Sequence, residues 1–196
     1  MEAIYNRRSI RKYILKDVPK EIIEQILQAG TLAPSSKNRQ PWKFVVVAGS
    51  YKNEMLSFMK EGLLREKNQN ALLPNSAQYL KAAEYTLEIM TQAPVSVFAV
   101  NCLGVELSSI LTPEERIYEI CNAQSIGAAL ENMTLTATEL GLGSLWICDI
   151  FFAHQELNEW LGTNGQLVAA MTFGYADEHP NKRPRKNISD IVEWRL

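Results

Sequence analysis

The sequence predicts a single domain of the α+β or α/β class, with a small sheet and more helix than strand. Its 196 residues suffice for one domain or for two very small ones. Hydrophobic residues make up 46% and charged residues 21%, which is ordinary for a globular protein and excludes collagen-like, disordered and coiled-coil chains. Amphipathic helical patterns alternate with short apolar runs along the chain, which indicates helices packed on a sheet.

The helices are predicted from apolar spacing and from the residues at their ends. Pro19 suits the first position of a helix, and Thr112 opens a capping box with Pro113 at the first position. Gly141 and Gly162 end the helices that precede them. The predicted helices are Ala3–Arg7, Pro19 to near Ala33, most of Tyr51–Met90 apart from a loop around Asn68–Asn75, Thr112–Leu140 and Gln155–Leu161.

Four short apolar runs predict strands at Trp42–Ala48, Val95–Cys102, Ser144–Cys148 and Leu167–Tyr175. The first contains consecutive apolar residues from Phe44 to Val47, so we expect it to be buried. The helical middle segment, residues 51–90, has a high charge density and is expected to be an exposed excursion. The chain end is rich in Pro, Lys and Arg and is expected to be extended.

The second half of the long helix, Cys121–Leu140, consists mostly of small residues such as Ala123, Gly127 and Ala128. A helix that is small and apolar on nearly every face must be buried all round, and a chain of this size has limited room for that. Burial between two copies of the chain would make it a homodimer. An ordinary central core helix explains the same composition equally well.

Composition excludes several classes of protein. The net charge of −2 does not fit a duplex-DNA binder with a basic surface. The three cysteines, Cys102, Cys121 and Cys148, cannot all pair within one chain, which predicts a reduced, cytoplasmic protein. The two histidines lack metal-ligand spacing, so no zinc site is expected, and His154 is expected at the surface. Neither a signal peptide nor a membrane span is predicted.

Two basic clusters lie near the ends of the chain. Arg7–Tyr13 and Lys182–Lys186 together hold eight of the twenty basic residues. If the clusters converge, they form a strong anion site, because guanidinium groups bind phosphate oxygens bidentately. A solvated basic turn at each end is the alternative, and it is the commoner role of a single charge run.

The loop Pro34–Trp42 joins a helix end to a strand and is rich in hydroxyl and amide groups. Ser35, Ser36, Asn38 and Gln40 can donate and accept hydrogen bonds, so the loop could bind the edge of a heterocycle or ribityl hydroxyls. Taken alone, a turn that caps itself is the simpler explanation.

The glycine-containing segment before Trp146 is not a dinucleotide fingerprint, because the third glycine and the strand–turn–helix order are missing. No Walker A lysine is present either. Trp146 could be a core residue, which is its default, or a wall beside a flat ligand. No Ser/His/Asp or Cys/His motif is evident. Anion and heterocycle binders without a side-chain acid or base indicate that a cofactor carries the chemistry.

Four segments, taken in order, resemble the nitroreductase family of flavin enzymes, and together they span essentially the whole chain. They are Arg-Arg-Ser-Ile-Arg-Lys-Tyr from residue 7, Ala-Pro-Ser-Ser-x-Asn-x-Gln-Pro-Trp from residue 33, Leu-Gly-Leu-Gly-Ser-x-Trp-Ile from residue 140, and Arg-Pro-Arg-Lys from residue 183 followed by Ile-x-x-Trp. Each motif is weak alone, whereas four in the family's order are specific.

The resemblance implies an α+β fold of one domain, residues 1–196, with a small, mostly antiparallel central sheet flanked by helices. It also implies a long central helix at a homodimer interface, an extended C-terminal tail and two FMN molecules between the subunits. In this family the segment that corresponds to residues 51–90 covers the active site and sets the substrate.

Residue by residue, the resemblance implies an FMN site built from both subunits. The phosphate and flavin edge would be bound by Arg7, Arg8, Ser9 and Arg11, with Arg183 and Arg185 in place of a lysine often found in the tail. The partner subunit would contribute Pro34, Ser35, Ser36 and Asn38. The flavin near its reactive nitrogen would be lined by Trp146, Ile147 and Cys148, largely through backbone groups.

The expected function is therefore an FMN-dependent oxidoreductase. Hydride would pass from NAD(P)H through the flavin to an electron-poor acceptor, such as a nitroaromatic or quinone, by a ping-pong mechanism and with no catalytic side chain. Reductive dehalogenation or oxygen-dependent flavin breakdown on the same fold are alternatives. A non-enzymatic module that binds anions or nucleic acid is a more distant alternative, which the net charge disfavours.

Overall fold

The computed structural model describes residues 1–68 and 70–196. Four strands form one antiparallel sheet in the order β1-β2-β4-β3. Their bounds are β1 Trp42–Ala48, β2 Val95–Asn101, β3 Gly143–Ile147 and β4 Gln166–Gly174. All four lie within one residue of the predicted ends, and the antiparallel sheet of an α+β fold is confirmed.

The helices also follow the predicted order. Their bounds are α1 Glu2–Asn6, α2 Lys20–Thr31, α3 Tyr51–Lys67, α4 Leu80–Gln92, α5 Pro113–Glu139 and α6 His154–Leu161. The capping box at Thr112 is present, with Pro113 in the first turn of α5. Pro19 stands immediately before α2 rather than inside it, because its ψ of 140° is extended.

Helices cover both faces of the sheet. On one face, α2 and α5 pack on Val97, Ala99 and Met171 of the strands. On the other face, α3, α4 and α6 pack on residues that include Phe98 and Ile147. Alternate residues of a strand point to opposite faces, so the central strand β2 is buried along its whole length.

Strand β1 corrects one expectation, because it is an edge strand and not a buried one. Only Val47 is buried within it, and the Val46 side chain is 43% exposed. An unbroken apolar run indicates burial on both faces, but the run cannot show that one edge of the strand lacks a neighbour.

The middle segment corrects a second expectation. Met55, Met59 and Met90 are fully buried in the core, so α3 and α4 form a layer of the fold rather than an exposed excursion. Most charged residues of these helices are exposed, although Glu66 is buried and pairs with Arg65, and their number masked the buried stripe.

The long helix α5 is buried along its second half but not along its first. Ile126, Leu130 and Met133 pack against α2 and the sheet, whereas Ile117 and Ile120 are more than half exposed. Within the described residues, no helix has both the length and the apolar content needed to span a bilayer.

Candidate functional site

The two basic clusters converge on one cavity of about 300 Å³. Cationic and polar side chains from both ends of the chain line its wall, with Ile4, Tyr5 and Pro180 beside them. The basic and hydroxyl side chains at the cavity, which we call the basic cavity, are Arg7, Arg8, Ser9, Arg11, Lys182, Arg183 and Arg185. Residues almost the length of the chain apart thus form one site.

Backbone pairing brings the clusters together. The segment after the first cluster forms an antiparallel bridge between Tyr13 and Ala176, with hydrogen bonds from Ile14 to Tyr175 and from Asp177 to Lys12. This short ladder continues β4 outward and holds the tail beside the N-terminus. Ser9 forms a parallel bridge with Ser144, which fixes the cluster along the edge of β3.

A buried tyrosine fastens the same segment to the sheet. The hydroxyl of Tyr13 lies 3.0 Å from the Ile10 carbonyl, to which it donates, and 2.8 Å from Thr172 Oγ1. Burial raises the pKa of Tyr13 well above its usual value, so the hydroxyl stays protonated. The position of the basic cavity therefore depends on core packing and not on loops alone.

Most of the cations in the basic cavity lack a carboxylate partner. Arg7 lies 3.6 Å from Glu131 of α5. Among the described residues, Arg8, Arg11, Arg183 and Arg185 form no ion pair. Arg8 and Arg185 donate only to nearby backbone carbonyls. Several like charges facing one cavity repel one another, and a bound anion would relieve that repulsion.

Glu178 contributes to the site although no motif pointed to it. Its Oε1 accepts a hydrogen bond of 2.5 Å from the backbone N–H of Arg11. The bond ties the N-terminal cluster to the start of the tail. The only sequence signal was an acidic pair, Asp177 and Glu178, standing just before the basic run.

The loop after α2 lies away from the basic cavity and is held against the first half of α5. The backbone N–H of Ser36 donates to Ser125 Oγ at 3.3 Å, and the Arg39 guanidinium lies 4.8 Å from the ring centre of Tyr118. Ser35 and Asn38 accept hydrogen bonds from Gln40 within the loop. Pro34, Ser35, Ser36 and Asn38 are not among the residues that line the basic cavity of the same chain.

The loop backbone is strained. Lys37, Asn38 and Gln40 have φ values of 55°, 54° and 48°, a region that side chains other than glycine rarely occupy. Strain of this kind persists where the surrounding structure holds it, and it is found often at functional sites. The contacts with α5 supply that support here.

The three predicted site residues at the end of β3 and just after it differ in exposure. Trp146 is 40% exposed, so its default core position is not observed. The Ile147 side chain is buried in the core, so that only its backbone could reach a ligand. Cys148 is exposed, and burial of its thiol, followed by the nearby Asp149 carboxylate, raises its pKa.

The structure places His154 in the interior, where we expected a surface residue. Its side chain is buried and stacks on Phe151, while Nε2 has no partner among the described residues. Desolvation lowers its pKa. No group of three or more His, Cys, Asp or Glu suited to a metal is found within residues 1–68 and 70–196.

Comparisons with known proteins show the family of this chain and its fold. The model of the nitroreductase family matches residues 4–175. An Archaeoglobus fulgidus protein, provisionally named an NADH dehydrogenase/NAD(P)H nitroreductase, is 35% identical over 89% of this chain and 84% of its own.

Solved structures have the same fold. A BluB-like flavoprotein from Clostridium difficile is 26% identical, with a TM-score of 0.74 over 98% of this chain and 97% of its own. The FMN-dependent nitroreductase of Mycobacterium smegmatis, solved in complex with NADPH, is 19% identical with a TM-score of 0.78 over 100% of this chain and 97% of its own. At that identity the second likeness shows the fold alone.

Proposed function

This chain belongs to the nitroreductase family, and from that membership we propose that it is an FMN-dependent NAD(P)H oxidoreductase that reduces electron-poor acceptors of the nitroaromatic or quinone class. The Mycobacterium smegmatis neighbour is named as FMN-dependent, and the A. fulgidus relative is named for NAD(P)H. We place the enzyme in a reducing, cytoplasmic setting, which its three free cysteines support.

The basic cavity is the observation that carries the proposal. An FMN phosphate is a dianion, and it fits a cavity in which arginines from both chain ends lack carboxylate partners. We assign Arg7, Arg8, Ser9 and Arg11 to the phosphate and the adjoining flavin edge. Arg183 and Arg185 complete the phosphate site from the tail. Forked guanidinium donors suit phosphate oxygens, and each charge-assisted bond contributes roughly 1.5–3 kcal/mol.

The ring of the flavin is assigned to the outer side of β3. Trp146 and Cys148 are exposed there, and the backbone of Ile147 lies between them. The site is open in one chain, and we propose that Pro34, Ser35, Ser36 and Asn38 of a second copy complete it. The strained loop that holds these residues lies on α5, which we propose as the centre of the dimer interface.

Exposed apolar residues support the homodimer. Ile117 of α5 is 58% exposed, and Ile191 and Trp194 of the tail are 63% and 72% exposed. Every described residue of the tail beyond residue 180 is exposed, so the rest of the same chain does not bury the tail. Surfaces of this kind indicate an interface.

When bound, FMN supplies hydride acceptance from NAD(P)H and hydride donation to the acceptor. The residues of the chain hold that group, offer hydrogen-bond donors to negative charge and limit access. The net reaction consumes NAD(P)H and a proton. It converts a quinone into a hydroquinone, or a nitro group into a nitroso group with release of water. We assign no side chain as acid, base or nucleophile.

Steady-state kinetics test the proposal. NADH or NADPH is varied at several concentrations of menadione, a quinone, with the FMN-loaded protein. If both substrates use one site in turn, the double-reciprocal lines are parallel. Crossing lines would contradict the shared site, and the absence of NAD(P)H oxidation with every acceptor, in air and without oxygen, would contradict the function.

A further inference from the structure

A second cavity lies outside the basic cavity and is mainly apolar. It has a volume of about 340 Å³ and is bordered by the loop before α5, the first turns of α5, the segment after β3 and the start of β4. We call it the apolar cleft. Its residues are Leu107, Leu111, Arg116, Glu119, Ile120, Ala123, Phe151, Gln166, Leu167 and Val168.

The apolar cleft adjoins the strand assigned to the flavin. Ala123 lies one helical turn, about 6 Å, before Gly127, and a methyl group at Gly127 would lie 3.5 Å from the Trp146 ring. Phe151 follows Cys148 by three residues. Val168 is the extra residue of a β-bulge, because Ala99 pairs with Ala169 whereas Val100 pairs with Leu167. Bulges are over-represented beside active sites.

The walls of the apolar cleft suit a flat apolar molecule. Leu107 and Ile120 are 48% and 52% exposed, and a ligand that covers this apolar surface would gain binding free energy. Phe151 is held in place by stacking on His154, with ring centres 5.8 Å apart. Concave apolar sites with a few polar groups are the usual form of small-molecule pockets.

The cation that lines the apolar cleft is Arg116. Arg116 is exposed and forms no ion pair with any of the described carboxylates. Glu119, the carboxylate of the cleft, accepts a hydrogen bond of 3.3 Å from Asn101 Nδ2. Glu119 is thus tied to the end of β2, whereas the Arg116 guanidinium pairs with no carboxylate among the described residues.

We propose that the apolar cleft receives the electron acceptor, and that Arg116 selects aromatic acceptors that carry a carboxylate or a similar anionic group. The inference rests on the proposed function and names the substrate class of that site. It also replaces residues 51–90 as the segment that sets the substrate. The α3 and α4 helices pack on the opposite face of the sheet from α5, and none of their residues lines the apolar cleft.

Binding of matched ligands tests the selection directly. Benzoate and benzamide have nearly the same shape and differ in charge, and their dissociation constants are measured by calorimetry on the oxidised, FMN-saturated protein. We expect benzoate to bind about tenfold more tightly than benzamide, as one charge-assisted hydrogen bond provides. Arg116→Gln should abolish the difference, and Arg116→Lys should restore most of it. Lys60→Gln removes an exposed charge of α3 and should change neither constant.

Kinetics separate this inference from the proposed function. The ratio of kcat/KM for 4-nitrobenzoate over 4-nitrobenzamide should fall about tenfold in Arg116→Gln and stay at the wild-type value in Lys60→Gln. If the wild-type protein reduces menadione but does not discriminate between the two nitro compounds, or if Arg116→Gln leaves the ratio unchanged, only the inference fails. If NAD(P)H is not oxidised with any acceptor, the proposed function fails first.

Discussion

Arg11 is the residue at which the two basic clusters meet. Its backbone N–H binds Glu178 of the tail, while its guanidinium reaches only the Ser9 carbonyl, at 3.2 Å. A substitution by alanine removes the guanidinium but keeps the backbone N–H, so the fold and the anion site depend on different parts of the same residue.

Arg11→Ala should therefore weaken FMN binding far more than folding. We expect the dissociation constant of FMN to rise about ten- to a hundredfold, because one charge-assisted bond to the phosphate is lost. The free energy of unfolding of the FMN-free protein should change by less than about 0.5 kcal/mol. Fluorescence titration with FMN and urea unfolding measure the two. Lys12→Ala is the control, since Lys12 is exposed and does not line the basic cavity. Full flavin content in Arg11→Ala would contradict the assignment of Arg11 to the phosphate of FMN.

His154 makes stability depend on pH. Burial lowers its pKa below the usual 6.5, so in acid the unfolded chain binds this proton before the native protein does. Stability is thus fully present above pH 6.5 and is lost as the pH falls towards the lower native pKa.

His154→Gln should reduce that loss, because glutamine can donate a hydrogen bond in the same region without titrating. The measurement is the urea midpoint at neutral pH and at about pH 5.5, below the ordinary histidine pKa. The wild-type midpoint should fall more on acidification than that of the variant. In His179→Gln, which removes the other histidine, the urea midpoint should fall on acidification as much as it does in the wild type. Equal falls in wild type and His154→Gln would show that the buried histidine does not govern the acid response.

At the residue scale, sequence patterns predicted the residues that line the basic cavity but not the carboxylates that contact them. Five arginines and a serine stood in recognisable motifs, whereas Glu178 and Glu131 stood in none. The burial of His154 was predicted wrongly, and Trp146, for which a core position and a position beside a flat ligand were both open, is exposed. Each depends on which side of a short element faces the sheet, and a few residues carry too little periodicity to show it.

At the scale of elements, α3 and its neighbours form a tightly packed layer. Gly62 of α3 faces the segment before α6, and a methyl group there would lie 2.3 Å from Ala153 Cα. Arg65, one turn further along α3, pairs with Glu156 of α6 at 2.6 Å. The close approach of the backbones requires glycine at position 62.

Gly62→Ala should destabilise the protein by roughly 1–3 kcal/mol, the usual cost of overpacking, since backbone cannot move aside as a side chain can. Urea unfolding with intrinsic fluorescence gives the value. The control is Glu61→Ala on the exposed side of the same helix, which should change stability by less than about 0.5 kcal/mol. A Gly62→Ala protein as stable as its control would mean that α3 and α6 are more loosely packed than described.

Element order and ends were predictable because caps, glycines and apolar runs are local signals. Layer membership was not. The high charge density of the middle segment gave no indication of the buried methionines of α3 and α4. The apolar run of β1 gave no indication that β1 lies at the edge of the sheet. The pairing of Tyr13 with Ala176 joins residues 163 positions apart, and no local pattern announces it.

At the scale of the whole molecule, one chain leaves its site open and its tail exposed. The Ile191 and Trp194 side chains contact no core cluster of their own chain. Light scattering should therefore show a dimer at concentrations at which flavin stays bound, and a monomer would contradict a site shared between subunits.

The double substitution Ile191→Ser with Trp194→Ser tests how the tail contributes. We expect the dissociation constant of the dimer to rise more than tenfold. Buried tryptophans often dominate the binding energy of an interface, and truncating one costs about 2 kcal/mol or more. The protomer should fold normally, since neither residue is buried in it. Analytical ultracentrifugation measures the constant, with Ser189→Ala as control. An unchanged constant would place the interface elsewhere.

The central claim is that the basic cavity holds the phosphate of FMN. The most direct measurement is the visible absorption spectrum of the purified protein, followed by mass analysis of the ligand released on denaturation. We predict a yellow protein that carries FMN equimolar with the chain and is bleached by NADH or NADPH without oxygen. A colourless protein that also fails to bind added FMN would contradict the account.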